Sequence, residues 1–185
     1  MSSLAPLWLP ILVAAVAVFL VSTLIHVVIR WHANDLSPIP NEDAVADVLR
    51  GLPAGEYRLP WASTAADMKS PAFQEKAKRG PMAIIGIWQG DMAKGFQKSL
   101  ILWFIYSLVA SGIAGHVAHS SLGSGPDGHA AFHAVALTAF AGYGLGLAQQ
   151  SIWGPKKWGA TAKSMVDALI YALVTGGIFM WLWPK

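Results

Sequence analysis

The stretch SLILWFIYSLVASGIAGHVA, residues 99–118, decides the fold class of this chain. It contains no Asp, Glu, Lys or Arg. A helix of roughly 20 mostly apolar residues crosses the approximately 30 Å hydrocarbon core of a bilayer. A buried helix of a soluble bundle would keep a polar face, which this stretch lacks. Between residues 100 and 114, the side chains with a polar group are those of Trp103, Tyr106, Ser107 and Ser111. The stretch therefore predicts a transmembrane helix.

Three further segments have the same apolar character, at residues 7–29, 130–152 and 165–183. The first is interpreted as a retained anchor, because no Lys or Arg precedes it, the apolar run is long and no small-x-small cleavage site follows. The sequence thus predicts an all-α membrane protein. It is a four-helix transmembrane bundle with a small cytoplasmic insertion, residues 30–98, between the first helix, within residues 1–29, and the three helices of residues 99–185.

The composition agrees with a membrane environment. Of the 185 residues, 55% are hydrophobic and 12% are charged, whereas soluble domains carry about 25% charged residues. Nine tryptophans suit the membrane interface, and eighteen glycines suit close helix packing. The chain has no cysteine, which excludes disulfides, thiolate metal sites and cysteine nucleophiles.

The distribution of Lys and Arg predicts the orientation. Twelve of the thirteen basic residues lie in the insertion or in the connection between the third and fourth spans, and only Lys185 falls on the opposite side. Because cytoplasmic loops carry the excess of positive charge, residues 30–98 are predicted to be cytoplasmic. Both termini are then periplasmic in a multi-pass protein of a bacterial inner membrane.

The insertion contains signals for short elements. Asn41 is expected to cap a helix through about Leu49, and Ser70-Pro71 is expected to start another through about Lys78. Residues 55–60 and 82–88 are typical of extended chain. These two stretches either pair as a small sheet against the membrane surface or form a partly ordered loop that rests on the lipid headgroups, since a two-stranded unit is marginal without something to pack on.

Small residues repeat at four-residue spacing on two of the spans. Ser107, Ser111 and Gly115 do so on the second, and Gly142 and Gly146 on the third. Such spacing leaves a groove that another helix can approach closely. It predicts helix packing, mostly within the chain itself.

Asp167 is the only carboxylate within the predicted spans. Intramembrane acids are costly and raise a functional hypothesis by default. Lys163 lies one turn earlier, however, which favours an interfacial ion pair with a structural role. His26 lies near the same end of the first span, where we expect it to hydrogen-bond across helices, and His32 lies just outside.

Four histidines flank the loop between the second and third spans: His116, His119, His129 and His133. Spacings of three and four residues place each pair on one helix face. A metal site or bis-histidine ligation of a b-type haem is one interpretation, with Asp127 as an extra ligand. The other is partly solvated interfacial histidines. We expect the second, and no cofactor, because the glycine-rich loop offers few acceptors to orient the rings.

A series of residues resembles a family of small, uncharacterised bacterial membrane proteins. The matching positions are Lys98-Ser99-Leu100, Trp103-Phe104, Ser151-Ile152-Trp153, Trp158, Thr161, Lys163-Ser164, Asp167, residues 169–173 and Trp181-Leu182-Trp183-Pro184. The resemblance covers about half of the chain. It implies a four-span bacterial inner-membrane protein, supplies no activity and does not include the outer histidines.

The function expected from these features is a non-enzymatic accessory, assembly or scaffold component of a membrane complex. Its partners would be the lipid bilayer and either other membrane subunits or further copies of itself, without nucleic acid. The alternative is a redox or transport protein that binds metal or haem through His116, His119, His129 and His133. A channel or carrier for a small neutral solute is a third hypothesis. An enzyme is disfavoured because no nucleophile–base–carboxylate set is recognisable.

Overall fold

The computed structural model describes residues 5–123 and 127–184. The chain divides into two compact units: a helical unit, Met1–Leu36 with Met92–Lys185, and an inserted unit, Ser37–Asp91. The elements in chain order are α1 (Trp8–Thr23), α2 (Glu42–Leu49), β1 (Gly55–Leu59), α3 (Ala65–Lys69), α4 (Pro71–Arg79), β2 (Ala83–Ile87), α5 (Met92–Leu122), α6 (Gly128–Tyr143), α7 (Gln149–Ile152) and α8 (Trp158–Leu182).

Four helical stretches are long and apolar enough to cross a membrane. They are Ala5–Ile29, Met92–Leu122, Gly128–Ile152 and Trp158–Leu182. The all-α four-helix bundle expected from the sequence is therefore confirmed. Two helices begin several residues before the apolar runs that predicted them, at Met92 and at Trp158. Backbone hydrogen bonding continues into the interfacial region, where an apolar criterion no longer detects a helix.

The helical unit has small residues inside and large apolar residues outside. α1 packs on α5 and α8, and α6 packs on the same two helices. Its core includes Ala14, Ala114, Ala139 and Ala172, together with a few larger side chains such as Phe179. Large apolar side chains elsewhere on the spans are exposed. Lipid tails solvate such a surface, whereas close backbone approach needs small residues in the interior.

Glycines permit two of these close approaches. A Cβ atom at Gly115 would lie 2.6 Å from the Phe179 ring, and one at Gly176 would lie 2.9 Å from the Ala136 Cβ. Gly115 thus packs inside the bundle, as its spacing with two buried serines indicated. Gly142 and Gly146 have no neighbouring atom within 4 Å of such a Cβ. Their spacing predicted packing within the chain, but a side chain at either position would meet open space. The contact of Gly142 with α5 is instead through its backbone, because its carbonyl oxygen accepts a hydrogen bond from the Tyr106 hydroxyl over 2.7 Å.

The inserted unit contains a two-stranded antiparallel sheet. β1 pairs with β2 in a register that joins Gly55 to Ile87 and Leu59 to Ala83. The side chain of Ser70 accepts a hydrogen bond from the Phe73 N–H and begins α4. α3 has a capping box in which Thr64 and Asp67 bond reciprocally. Asn41 precedes α2, but its side chain makes no capping hydrogen bond.

Candidate metal centre

The site begins where α1 departs from regular geometry. Leu24–Ile29 form a π turn, and Arg30 ends it in the left-handed region with φ 55°. A non-glycine residue there costs on the order of 1 kcal/mol or more. Both π turns and strained backbone occur frequently at functional sites. The turns that follow reverse the chain, with the Asp35 N–H donating to the His32 carbonyl over 3.0 Å.

His26 lies within the π turn and has one ring nitrogen already engaged. Its Nδ1 lies 2.9 Å from the carbonyl oxygen of Ser22. A carbonyl oxygen only accepts hydrogen bonds, so Nδ1 carries the proton. The neutral ring therefore has its lone pair on Nε2, which lies 3.9 Å from Asp167 Oδ2. The side chain is 52% exposed, so the ring can move.

His32 lies between two carboxylates. Its Nδ1 is 2.6 Å from Asp35 Oδ2, and its Nε2 is 2.7 Å from Asp167 Oδ2. The rings of His26 and His32 stack almost in parallel, with centroids 5.0 Å apart. These contacts fix the plane of the His32 ring and direct both Nε2 atoms toward the same carboxylate.

Asp167 reaches this place from α8 and is only 4% exposed. One carboxylate oxygen, Oδ2, faces the two histidines. The other, Oδ1, is buried without a hydrogen-bond partner among the described residues. An unpartnered buried carboxylate oxygen is costly, because a charged acceptor loses water and gains nothing in return.

Lys163 pairs with Asp35 rather than with Asp167. Its Nζ lies 2.7 Å from Asp35 Oδ1 and 2.8 Å from the Trp31 carbonyl oxygen. The predicted ion pair of Lys163 with Asp167, one turn apart on α8, is therefore wrong. The loop after α1 brings Asp35 to α8, and Lys163 pairs with that carboxylate instead. The hydrogen bonds from Lys163 and then from His32 lower the pKa of Asp35 below its usual 3.8.

The lowered pKa has a direct consequence for the loop. Asp35 remains a carboxylate above its ordinary pKa, and the stability of its contacts is lost only as the pH falls through the lowered value. At neutral pH Asp35 therefore only accepts hydrogen bonds, and His32 Nδ1 must donate. The remaining nitrogen, Nε2, faces Asp167, and in a neutral ring it has the lone pair that can bind a cation.

A polar contact links this site to the interior of the bundle. The Trp103 Nε1–H on α5 donates to Ser22 Oγ over 2.8 Å. The Trp103 ring lies 5.7–6.0 Å from the rings of Tyr106, Tyr143 and Tyr171. Ser22 thus uses its side chain to fix α5 and its carbonyl to orient His26, which ties the position of the histidine to helix packing.

The outer histidines are elsewhere in the bundle. His116, His129 and His133 are exposed, and His119 is half-buried with its ring 6.3 Å from that of Trp183. Within residues 5–123 and 127–184, the group of three or more histidine and acidic ligands whose atoms lie within 4.8 Å of one another is His26, His32 and Asp167. The outer metal or haem site stays a prediction.

Asp127, the extra ligand considered for that outer site, caps a helix. Its Oδ1 accepts a hydrogen bond from the Ala130 N–H over 2.6 Å at the start of α6. A side-chain oxygen at this position satisfies one of the unbonded N–H groups of the first turn. The carboxylate therefore has a local structural partner.

Sequence reasoning did not bring His26, His32 and Asp167 together. One signal was available, because Asp167 is an acid inside a span and such an acid calls for a partner. The sequence predicted Lys163, the nearest basic residue on α8, as the partner of Asp167. His32 is 135 positions away, and only the packing of α1 against α8 makes it a neighbour.

No protein-family model matches the chain, and comparisons with curated proteins and with solved structures found no significant match.

Proposed function

We propose that the chain is an integral membrane protein that binds one divalent transition-metal ion through His26 Nε2, His32 Nε2 and the Asp167 carboxylate. One observation carries the proposal. Each histidine has its Nδ1 held by a hydrogen-bond acceptor, and the ligand atoms of all three residues lie within 4.8 Å of one another. Metal-binding histidines nearly always donate their other N–H to a carbonyl or carboxylate, as these two do.

The spacing of the three residues suits a metal ion after small movements. Ligands about 2.1 Å from a tetrahedral zinc ion lie about 3.4 Å from one another. The contact of His32 with Asp167, now 2.7 Å, would lengthen, and that of His26 with Asp167, now 3.9 Å, would shorten. Both changes are under about 1 Å. The larger change is at the His32 contact, and the half-exposed ring of His26 has room for the smaller one.

The donor set defines the class of ion. Two imidazoles with one carboxylate suit Zn²⁺ and Fe²⁺, whereas Ca²⁺ and Mg²⁺ prefer oxygen ligands alone. Three protein ligands leave at least one coordination position for water or a second carboxylate oxygen. Asp167 Oδ1, which is buried without a partner among the described residues, is the second carboxylate oxygen that this position could take.

The proposal includes a location and a topology. The excess of Lys and Arg in residues 30–98 supports placing this end of the bundle at the cytoplasmic face. The resemblance of the residues around Lys163 and Asp167 to a family of bacterial membrane proteins supports a bacterial inner membrane as the location. The ion would then bind from the cytoplasm, next to the half-exposed His26.

An accessory, assembly or scaffold role is compatible with metal binding and remains part of the proposal. A bound ion of this kind would tie the loop after α1 to α8 without any turnover. Purification in mild detergent tests the accessory role. A chain that elutes alone as a monomer, without a co-purifying protein, would contradict it.

The test of metal binding is elemental analysis of the purified protein. The chain is stripped with a chelator, equilibrated separately with Zn²⁺ and Fe²⁺, and passed through a desalting column. We expect about one ion per chain, and we expect His32→Ala and Asp167→Asn to lose it, because each removes a ligand. The matched control is the double variant His116→Ala, His133→Ala, which should retain the ion.

Two results would overturn the proposal. One is a wild-type chain that retains neither ion. The other is a His32→Ala variant that retains as much as the wild type. Loss of the ion from the double variant alone would instead assign it to the outer histidines. Circular dichroism of each variant separates loss of the ion from loss of the fold.

A further inference from the structure

The inserted unit has an apolar stripe with no cover. Side chains alternate between the two faces of a strand, so Met82, Ile84, Gly86 and Trp88 share one face of β2 and its extensions. The three side chains among them are exposed, and Trp88 is 90% exposed. A Cβ at Gly86 would lie 3.6 Å from the Trp88 ring, which places that ring over the same face.

The opposite face of the sheet is better covered. Ala83, Ile85 and Ile87 are half-buried, as is Tyr57, which pairs with Ile85 across the strands. A two-stranded sheet is at best marginally stable in water. Pro60 is the one fully buried residue described between positions 37 and 91. The sheet is thus covered on one face, and the apolar stripe on its other face is exposed to whatever surface the unit meets.

We infer that this surface is the lipid interface of the membrane that the chain crosses. The first argument is proximity along the chain. α5 has 31 residues and is about 46 Å long, which matches a bilayer of about 40–45 Å including its headgroups. Met92 then lies near the headgroup boundary. Trp88 precedes it by four residues, a reach of at most about 14 Å.

The second argument is the chemistry of the stripe. Trp prefers the membrane interface, where its ring is covered by lipid and its N–H stays near water. Arg58 is the cross-strand partner of Ile84, on the same face, where its guanidinium suits a lipid phosphate. The charges of the unit are nearly balanced, with six basic and seven acidic residues between positions 37 and 91. The apolar stripe, rather than net charge, therefore provides the attraction.

This surface is separate from the metal centre and does not depend on it. Docking of the stripe would hold the inserted unit against the bilayer and cover the face of the hairpin that the unit itself leaves open. The side chains of Trp88 and Met82 would then be surrounded by lipid rather than by water. The occupant is the interface of zwitterionic lipid, and anionic lipid is not required.

The absence of cysteine makes the test direct. Single cysteines are introduced by Met82→Cys, Ile84→Cys and Trp88→Cys, spin-labelled, and studied in phosphatidylcholine nanodiscs. Collisions with oxygen report lipid contact, and collisions with a water-soluble nickel chelate report water contact. Ala72→Cys on exposed α4 is the aqueous comparison, and Leu137→Cys on the exposed side of α6 is the lipid comparison.

We expect the oxygen-to-nickel ratio at positions 84 and 88 to be several-fold higher than at position 72 and to approach that at position 137. A nickel accessibility at 84 and 88 equal to that at 72 would show a solvated stripe and overturn the inference. Low accessibility to both reagents would show a protein partner or a second copy, and would overturn it equally. Three labelled positions guard against one variant that fails to fold.

Discussion

At the scale of single residues, the orientation of the His32 ring is determined by the groups that contact its two nitrogens. Asp35 holds one through a 2.6 Å contact, and Asp167 faces the other at 2.7 Å. Lys163 in turn holds Asp35. In the proposed site Asp35 therefore does not contact the ion but orients the His32 ring from the side opposite the ligand nitrogen.

We predict that Asp35→Asn weakens metal affinity about 10–100-fold without changing the stoichiometry. The amide can still accept the Nδ1–H, but the negative charge behind the ring is lost. Competition with a chromophoric chelator measures the affinity. Asp47→Asn, which breaks an exposed pair with Arg50 in the inserted unit, is the matched control. Equal affinities of the two variants would contradict the positioning role of Asp35.

At the scale of elements, two adjacent glycines on α8 have different surroundings. A Cβ at Gly176 would lie 2.9 Å from the Ala136 Cβ and 3.0 Å from the Phe132 carbonyl oxygen on α6. A backbone atom of a packed helix cannot move aside as a flexible side chain can. A Cβ at Gly177 would have no neighbour within 4 Å. An alanine at either position raises helix propensity, but only an alanine at Gly176 would collide with α6. Comparing the two substitutions therefore separates the effect of helix packing on stability from that of helix propensity.

We predict that Gly176→Ala lowers the free energy of unfolding by about 1–3 kcal/mol, because the added methyl overpacks the contact of α6 with α8. Gly177→Ala should change it by no more than about 1 kcal/mol, and toward higher stability, because Ala favours a helix over Gly. Reversible unfolding in mixed detergent micelles measures both. Similar destabilisation by the two changes would mean that the close approach at Gly176 is absent.

At the scale of the whole molecule, the orientation of the bundle in the membrane determines which compartment the proposed metal site faces. We predict that alkaline phosphatase is active when fused after Lys185 and inactive when fused within residues 60–70. The enzyme folds only in the periplasm, where disulfides form, and the Lys/Arg excess predicts that residues 30–98 are cytoplasmic. Activity of the internal fusion together with silence of the terminal one would reverse the topology.

The sequence by itself determined the fold class, because crossing a bilayer is a local property of chain length and apolar composition. A run such as residues 99–118 has few alternatives, since unpaired backbone groups are prohibitively costly in hydrocarbon. A local pattern was not enough to predict where Gly142 and Gly146 pack. Their spacing shows that a helix face is small, but not whether that face turns inward.

Only the tertiary structure decided the site. Lys163 and Asp167 share a helix face, so their spacing in the sequence predicted that they pair with each other. The packing of α1 on α8 instead pairs Lys163 with Asp35 and Asp167 with His32. That packing depends on which small residues meet in three dimensions, and no single segment contains this information. The candidate ligands come from opposite ends of the chain, and the contact of two helices is what makes them a site.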